Sequence, residues 1–221
     1  MNKVVDIEKI KPLFKDGMTL MIGGFLACGT PEKLIDMLLE LNVKDLTIIA
    51  NDTSFPDRGL GRLVVNGQVK KVIVSHIGTN PETGRLMNEG KLEVELCPQG
   101  TLIERIRAGG SGLGGVLTPT GVGTIVEEGK QKLTINGKEY LLELPLRADV
   151  ALIKGSIVDE FGNTFYKGTT RNFNPIIAFA ADTVIVEAEE IVKVGELRPE
   201  DAMTPGVLVD YIIKGGEGFD S

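Results

Sequence analysis

Five short, nearly continuous apolar runs recur along the chain: Thr19 to Ile22, Asp45 to Ala50, Lys71 to Ser75, Ala148 to Lys154 and Thr183 to Glu187. Runs of that length and composition predict strands buried on both faces, and segments with helical spacing lie between them. Parallel strands need a crossover between one and the next, so this alternation predicts an α/β fold: an open, mostly parallel sheet with helices on both faces. The 28 glycines in 221 residues suit many tight strand-to-helix turns. No linker, repeat or low-complexity tract divides the sequence, which reads as one domain over 1–221. A β-hairpin excursion is expected near 129–144, with Asn136-Gly137 at its turn.

The helices follow from periodicity. Ile7, Ile10 and Phe14 predict a short helix from Asp6 to Phe14, bent at Pro12. Leu34, Ile35, Leu38, Leu39 and Leu41 give the next helix one apolar face, with Glu32, Lys33, Asp36 and Glu40 in water. A helix over Glu82 to Glu89 turns Leu86 and Met87 inward, and Thr101 to Arg107 forms another. Leu92 to Leu96 alternates apolar and acidic residues, as an edge strand with a wetter face does. Asn163 to Tyr166 is extended. Asn172 to Ala181 reads as a helix capped by Asn172 or Asn174, with Pro175 at its start. The glycine-rich Ala108 to Gly115 contains no basic residue and is expected to be a flexible loop or an interface seam.

Chemistry concentrates where strands end. After Thr19 to Ile22 the chain runs Gly23-Gly24-Phe25-Leu26-Ala27-Cys28-Gly29, then restarts at Thr30-Pro31 as a helix. Glycines there permit a sharp reversal and a close approach of bare backbone. Thr30 suits the N-cap and Pro31 the first helical position, so the helix start offers unpaired N–H groups to an anionic or carbonyl-bearing ligand. A tight turn with no ligand is the bland alternative. The spacing is neither the dinucleotide fingerprint nor a P-loop.

Asn51-Asp52 follow the second strand, Ser75-His76 and then Gly78-Thr79-Asn80 the third, and Gln99 stands between Pro98 and Gly100 after the fourth. Open α/β sheets place ligands at this edge. The Gln99 amide could donate to a carboxylate or thioester oxygen, or cap its own turn. His76 is of a residue type that often serves as a general base and could act as one here. No Ser or Cys nucleophile is paired with it by any motif, so a structural role is the simpler reading.

Composition removes several classes of function. With 24 basic against 31 acidic residues the net charge is −7, which argues against a nucleic-acid surface. Cys28 and Cys97 form no disulfide framework or metal cluster, and His76 alone excludes a multi-histidine metal site. A reducing cytoplasm is therefore expected. The N-terminus is charged throughout with no apolar signal core, and the uncharged stretch from Ala108 to Val126 is too glycine-rich to span a bilayer.

Asp16-Gly17, Leu20-Met21-Ile22, Gly23-Gly24-Phe25, Gly29 and Pro31, at the spacing found here, resemble the signature of the A (alpha) subunit of family I coenzyme A transferases. The chain is most similar to the acetate/acetoacetate and butyrate–acetoacetate type, as far as TPGVLVDYIIK near the C-terminus. The resemblance implies that Gly23 to Gly29 (Gly23, Gly24, Phe25, Leu26, Ala27, Cys28, Gly29) bind coenzyme A. It also implies that Asn51 and Gln99 line the carboxylate pocket, and that coenzyme A enters as a thioester substrate with no permanently bound cofactor or metal; His76 and Asn80 are secondary candidates from their place at the strand end alone, and the resemblance speaks against a base role for His76. The family works through a glutamyl-CoA thioester on a Ser-Glu-Asn-Gly motif of the B (beta) subunit. That motif is absent here. The acidic clusters Asp159 to Asn163 and Glu187 to Glu190 read instead as a solvated turn and a helix cap. The chain is therefore expected to supply half a site, with no catalytic nucleophile of its own, to a heterotetramer or larger assembly with a beta partner. The alternatives are a sugar-phosphate isomerase of related fold and a non-catalytic CoA-binding assembly subunit.

Overall fold

The computed structural model describes residues 2–216. In chain order the elements are β1 (Thr19–Ile22), α1 (Glu32–Leu41), β2 (Leu46–Ile49), α2 (Gly61–Val65), β3 (Val69–Val74), α3 (Pro81–Asn88), β4 (Glu93–Leu96) and α4 (Gln99–Gly110). There follow β5 (Val116–Thr118), β6 (Lys132–Ile135), β7 (Lys138–Glu143), β8 (Ala148–Asp159), β9 (Thr164–Phe165), α5 (Asn174–Ile177), β10 (Ala181–Val192) and β11 (Tyr211–Lys214).

The main sheet has eight strands, ordered β11-β10-β8-β1-β2-β3-β4, with β9 antiparallel on β8 and every other pair parallel. Alternate residues of each strand serve opposite faces. On one face Leu20, Ile22, Ile48 and Val72 pack with Leu34 and Leu38 of α1 and Leu63 of α2. On the other, Met21, Ile49, Ile73 and Ile153 pack with Leu102 and Ile106 of α4 and Ile177 of α5. Helices therefore cover both faces of an open sheet, with β4 and β11 as its two edge strands.

The hairpin turns at Asn136-Gly137, whose φ values are +52° and +76°. Its strands β6 and β7 gain a third, β5, and make a separate antiparallel sheet ordered β5-β7-β6.

Several local expectations change. The first helix is two 3-10 turns, Ile7–Lys9 and Lys11–Leu13, because Pro12 lacks the N–H that a continuous helix needs. Ala108 to Gly110 belongs to the end of α4, so the glycine-rich loop is shorter than the composition suggests. Met87 is 38% exposed while Thr83 takes the inward position. β8 continues past Lys154, where the expected strand ended, through Gly155 to Asp159. A Cβ at Gly155 would lie 2.6 Å from Val158 and 2.7 Å from Thr164, so the glycine admits neighbouring side chains within an unbroken strand.

The two acidic clusters also change character. Asp159 is buried and its Oδ1 accepts the N–H groups of Phe161, Gly162 and Asn163, which makes it the anchor of that turn. Glu187 lies within β10 and does cap a helix, but from across the fold: its Oε2 accepts the Leu34 N–H at 3.1 Å. The N-terminus of α1 begins at Glu32, one residue later than Pro31, and Glu187 already neutralises it.

Candidate active site at the sheet edge

Strands β1 to β4 end at one rim, and the turn after each contributes a wall to one cleft of about 380 Å³. Its lining is Phe25 and Leu26 after β1, Asn51 and Asp52 after β2, Ser75 and His76 after β3, and Gln99 after β4. The strand order departs from β1 in both directions, and such a reversal is where an α/β sheet leaves a crevice.

The turn after β1 is unusual. Phe25 and Cys28 exchange two backbone hydrogen bonds of 2.9 Å, closing a two-residue turn over Leu26 and Ala27. Both central residues are left-handed, with φ of +49° and +73°. Asn-Gly ordinarily fills such a turn, and a side chain in this region costs about 1–2 kcal/mol per residue. Long-range partners hold the strain in place. Asp52 Oδ2 accepts the Leu26 N–H at 3.0 Å. Asn172 Oδ1 accepts the Gly24 N–H at 3.1 Å, while its Nδ2 donates to Cys28 O at 3.0 Å. Asn174 Nδ2 donates to Gly29 O at 2.9 Å and to Thr170 O at 2.8 Å, and its Oδ1 accepts the Lys154 N–H at 3.0 Å.

These contacts explain the glycines. A Cβ at Gly23 would sit 1.7 Å from Asn174 Oδ1, one at Gly24 would sit 2.1 Å from Thr30 Oγ1, and one at Gly29 would sit 2.9 Å from Thr170 Cα. The chain's own side chains already fill the space that bare backbone opens. Gly23→Ala should therefore displace the buried Asn174 amide and break its hydrogen bonds, at about 1 kcal/mol each and about 2–3 kcal/mol in all. Gly84→Ala, in α3 with nothing within 4 Å of the new methyl group, should be neutral or slightly stabilising. Urea midpoints of the two variants check the contrast.

A polar chain runs along the floor. Gln99 Nε2 donates to Asn51 Oδ1 at 2.5 Å, Asn51 Nδ2 donates to Asp52 Oδ2 at 2.6 Å, and the Ser54 N–H donates to Asp52 Oδ1 at 2.7 Å. Ser75 Oγ donates to Asn51 O at 2.7 Å. Asn51 and Asp52 are buried and committed to one another, while Gln99 is exposed and keeps its second N–H for a ligand. The Asp52 carboxylate accepts three donors, the third being Leu26 N–H, and no Lys or Arg lines the cleft.

Five of the eleven candidate site residues meet here. Asn51, Gln99 and the exposed His76 share the cleft with Phe25 and Leu26. Asn80 does not: it is fully buried at the N-cap of α3, donating to Thr53 O at 3.1 Å, and supports the loop after β2 from below. Ala27 is buried, and the Cys28 thiol lies 2.9 Å from Thr169 Oγ1. Asp52, Asn172 and Asn174 are the members that sequence reasoning missed. The two asparagines read as caps of a ten-residue helix, but α5 is a single turn capped by Phe173, and their side chains serve β1's turn instead.

The arrangement offers neutral donors to a developing oxyanion. His76 has no side-chain partner among the described residues, Ser75 donates away from it to Asn51 O, and the one carboxylate in the cleft is buried and already accepts three donors. Among the described residues no group of three or more His, Cys, Asp or Glu could hold a metal ion, and no helix is long and apolar enough to cross a membrane.

The chain resembles known proteins over nearly its whole described length. The family model described as coenzyme A transferase matches residues 6–215. Over 213 residues the chain is 67% identical to the acetoacetyl-CoA:acetate/butyrate CoA transferase alpha subunit of Clostridium acetobutylicum, covering 96% of this chain and 98% of that one. It is 59% identical over 212 residues to the acetate CoA-transferase subunit alpha of Escherichia coli, covering 96% of each. Among solved structures, an acyl-CoA transferase apoenzyme from Escherichia coli O157:H7 superimposes with a TM-score of 0.87 at 24% identity, over 96% of this chain. The match spans 47% of that longer chain and speaks to the fold alone.

Proposed function

The chain belongs to the coenzyme A transferase family, and from that premise we propose that it is the alpha subunit of a heteromeric enzyme that moves coenzyme A between a short-chain acyl-CoA and a carboxylate such as acetate, butyrate or acetoacetate. One observation carries the reading: the cleft offers oxyanion donors beside a strained, clamped turn, while its single carboxylate is buried and already engaged by three N–H groups, which favours an attacking group from another chain.

The missing carboxylate comes from a beta partner. It attacks the thioester carbonyl, and the oxyanion that forms is received by Gln99 and the neighbouring donors. Collapse expels the CoA thiolate and leaves a mixed anhydride. The thiolate then attacks the enzyme's side of that anhydride, releasing the first carboxylate and leaving a glutamyl-CoA thioester. The acceptor acid runs the same steps in reverse. Thioester energy is retained, so the enzyme needs neither a metal nor a permanently bound cofactor. Cys28 and Cys97, which are not joined in a disulfide, suit a reducing cytoplasm. Phe25 and Leu26 supply the apolar wall against which a short acyl group packs.

The test is an assay of the pair, this chain with its beta partner, for acetate-dependent consumption of acetoacetyl-CoA. Stoichiometric formation of acetyl-CoA is expected. Isomerisation of ribose 5-phosphate by the chain, with no exchange by the pair, would instead establish the isomerase reading.

A further inference from the structure

Coenzyme A carries its negative charge on the phosphates of its nucleotide end, yet no cation lines the reactive cleft of this acidic chain. The phosphates need a receptor elsewhere. Every arginine but one pairs with a carboxylate: Arg58, Arg62, Arg85, Arg105, Arg107, Arg147 and Arg198 all do so. Arg171 is the exception, with no partner among the described residues. It closes a 3-10 turn, Gly168–Arg171, which Lys167 precedes. The Lys167 ammonium is likewise without a carboxylate partner, and both side chains belong to exposed residues.

This segment is fastened directly to the glycine turn. Thr169 Oγ1 meets the Cys28 thiol at 2.9 Å, Asn172 Nδ2 donates to Cys28 O at 3.0 Å and to Thr169 O at 2.8 Å, and Thr170 O accepts from the Asn174 amide that also holds Gly29 O. The Lys167 N–H donates to Ser156 Oγ at 2.9 Å, which fixes the other end on β8. One turn therefore presents Phe25 and Leu26 to the reactive cleft and carries, on the flank formed by Cys28 and Gly29, a strap with two uncommitted cations. An extended pantetheine arm separates the thioester of coenzyme A from its phosphates in the same way.

We propose that Lys167 and Arg171 form an anion subsite for the phosphate groups at the nucleotide end of coenzyme A, rigidly linked to the acyl cleft through Asn172 and Asn174. The inference rests on the transferase reading and adds the residues that distinguish coenzyme A from a shorter thioester. Arginine suits the task because its fork binds phosphate oxygens in pairs, with lysine as a point charge beside it.

The experiment uses the assembled enzyme with two substrates, acetoacetyl-CoA and acetoacetyl-pantetheine, which lacks the nucleotide. Arg171→Ala and Lys167→Ala should each reduce the preference in kcat/KM for the CoA thioester by about tenfold, chiefly through KM, as loss of a charge-assisted contact predicts. Arg171→Lys should recover part of the loss, and the wild-type preference should fall with added salt. An unchanged preference, an equal loss on both substrates, or a failure of the variants to assemble with the partner would overturn the subsite. Absence of exchange by the wild-type pair would instead remove the transferase reading itself.

Discussion

Purified alone, the chain should show no measurable exchange of coenzyme A, and addition of the beta partner should raise the rate by a factor on the order of 10⁴–10⁶, the scale set by removing a covalent nucleophile from an otherwise intact site. The geometry leaves little room for a smaller effect. Asp52 is buried, and its carboxylate is weakened as a nucleophile by the Leu26 N–H, Asn51 Nδ2 and Ser54 N–H bonds at 3.0, 2.6 and 2.7 Å. The first of these also restrains the left-handed turn. His76 has no hydroxyl or thiol to activate, and Cys28 is engaged with Thr169 on the far flank of the turn. Stopped-flow absorbance of acetoacetyl-CoA, with and without the partner, measures the ratio. Turnover by the isolated chain comparable to that of the pair would end the division of labour.

Lys154→Met should lower folding stability by about 3–5 kcal/mol, because it strands a buried carboxylate. Lys154 Nζ lies 3.0 Å from Glu187 Oε1, and the two side chains are 3% and 1% exposed. Burial pushes the Glu187 carboxyl above its usual range, against the opposing pull of Lys154 and of the Leu34 and Lys33 N–H groups. A carboxyl raised in the folded state binds its proton more readily there than in the unfolded chain. Its cost to stability is therefore present above the folded pKa and is relieved as pH falls through it. Without Lys154 the carboxyl rises further, so the deficit of the variant should shrink between neutral and mildly acidic pH. The pair also bears on function, since Glu187 Oε2 caps the N-terminus of α1, which starts three residues after the glycine turn. Urea unfolding at two pH values tests the account. Lys154→Met with Glu187→Leu should recover much of the loss, whereas a single variant within about 1 kcal/mol of wild type would show the pair to be dispensable.

Much of this was legible in the sequence for a simple reason. In a parallel sheet every strand delivers its C-terminal end to the same rim, so once the apolar runs ending at Ile22, Ala50 and Ser75 are read as strands, Phe25, Asn51, His76 and Gln99 fall at one edge. Long-range hydrogen bonds have no such periodicity. Asn172 reaches Gly24 across 148 positions, and nothing local distinguishes it from a helix cap. The left-handed pair Leu26-Ala27 carries no glycine or asparagine to announce it, because its geometry is imposed by Asp52 and Asn172 from outside the turn. The glycines were legible as a close approach, but sequence could not show that the approaching groups are Asn174, Thr30 and Thr170 of the same chain. Asn80 is polar and stands near a strand end, the pattern of a rim residue, yet the loop after β2 folds over it.

The most direct test of the central claim is to locate the covalent intermediate. The assembled pair would be incubated with acetoacetyl-CoA in the absence of an acceptor acid, trapped with hydroxylamine, digested and mapped by mass spectrometry. The account predicts a hydroxamate on a glutamate of the partner and none on this chain; a hydroxamate on Asp52, or on any other acid of this chain, would contradict it.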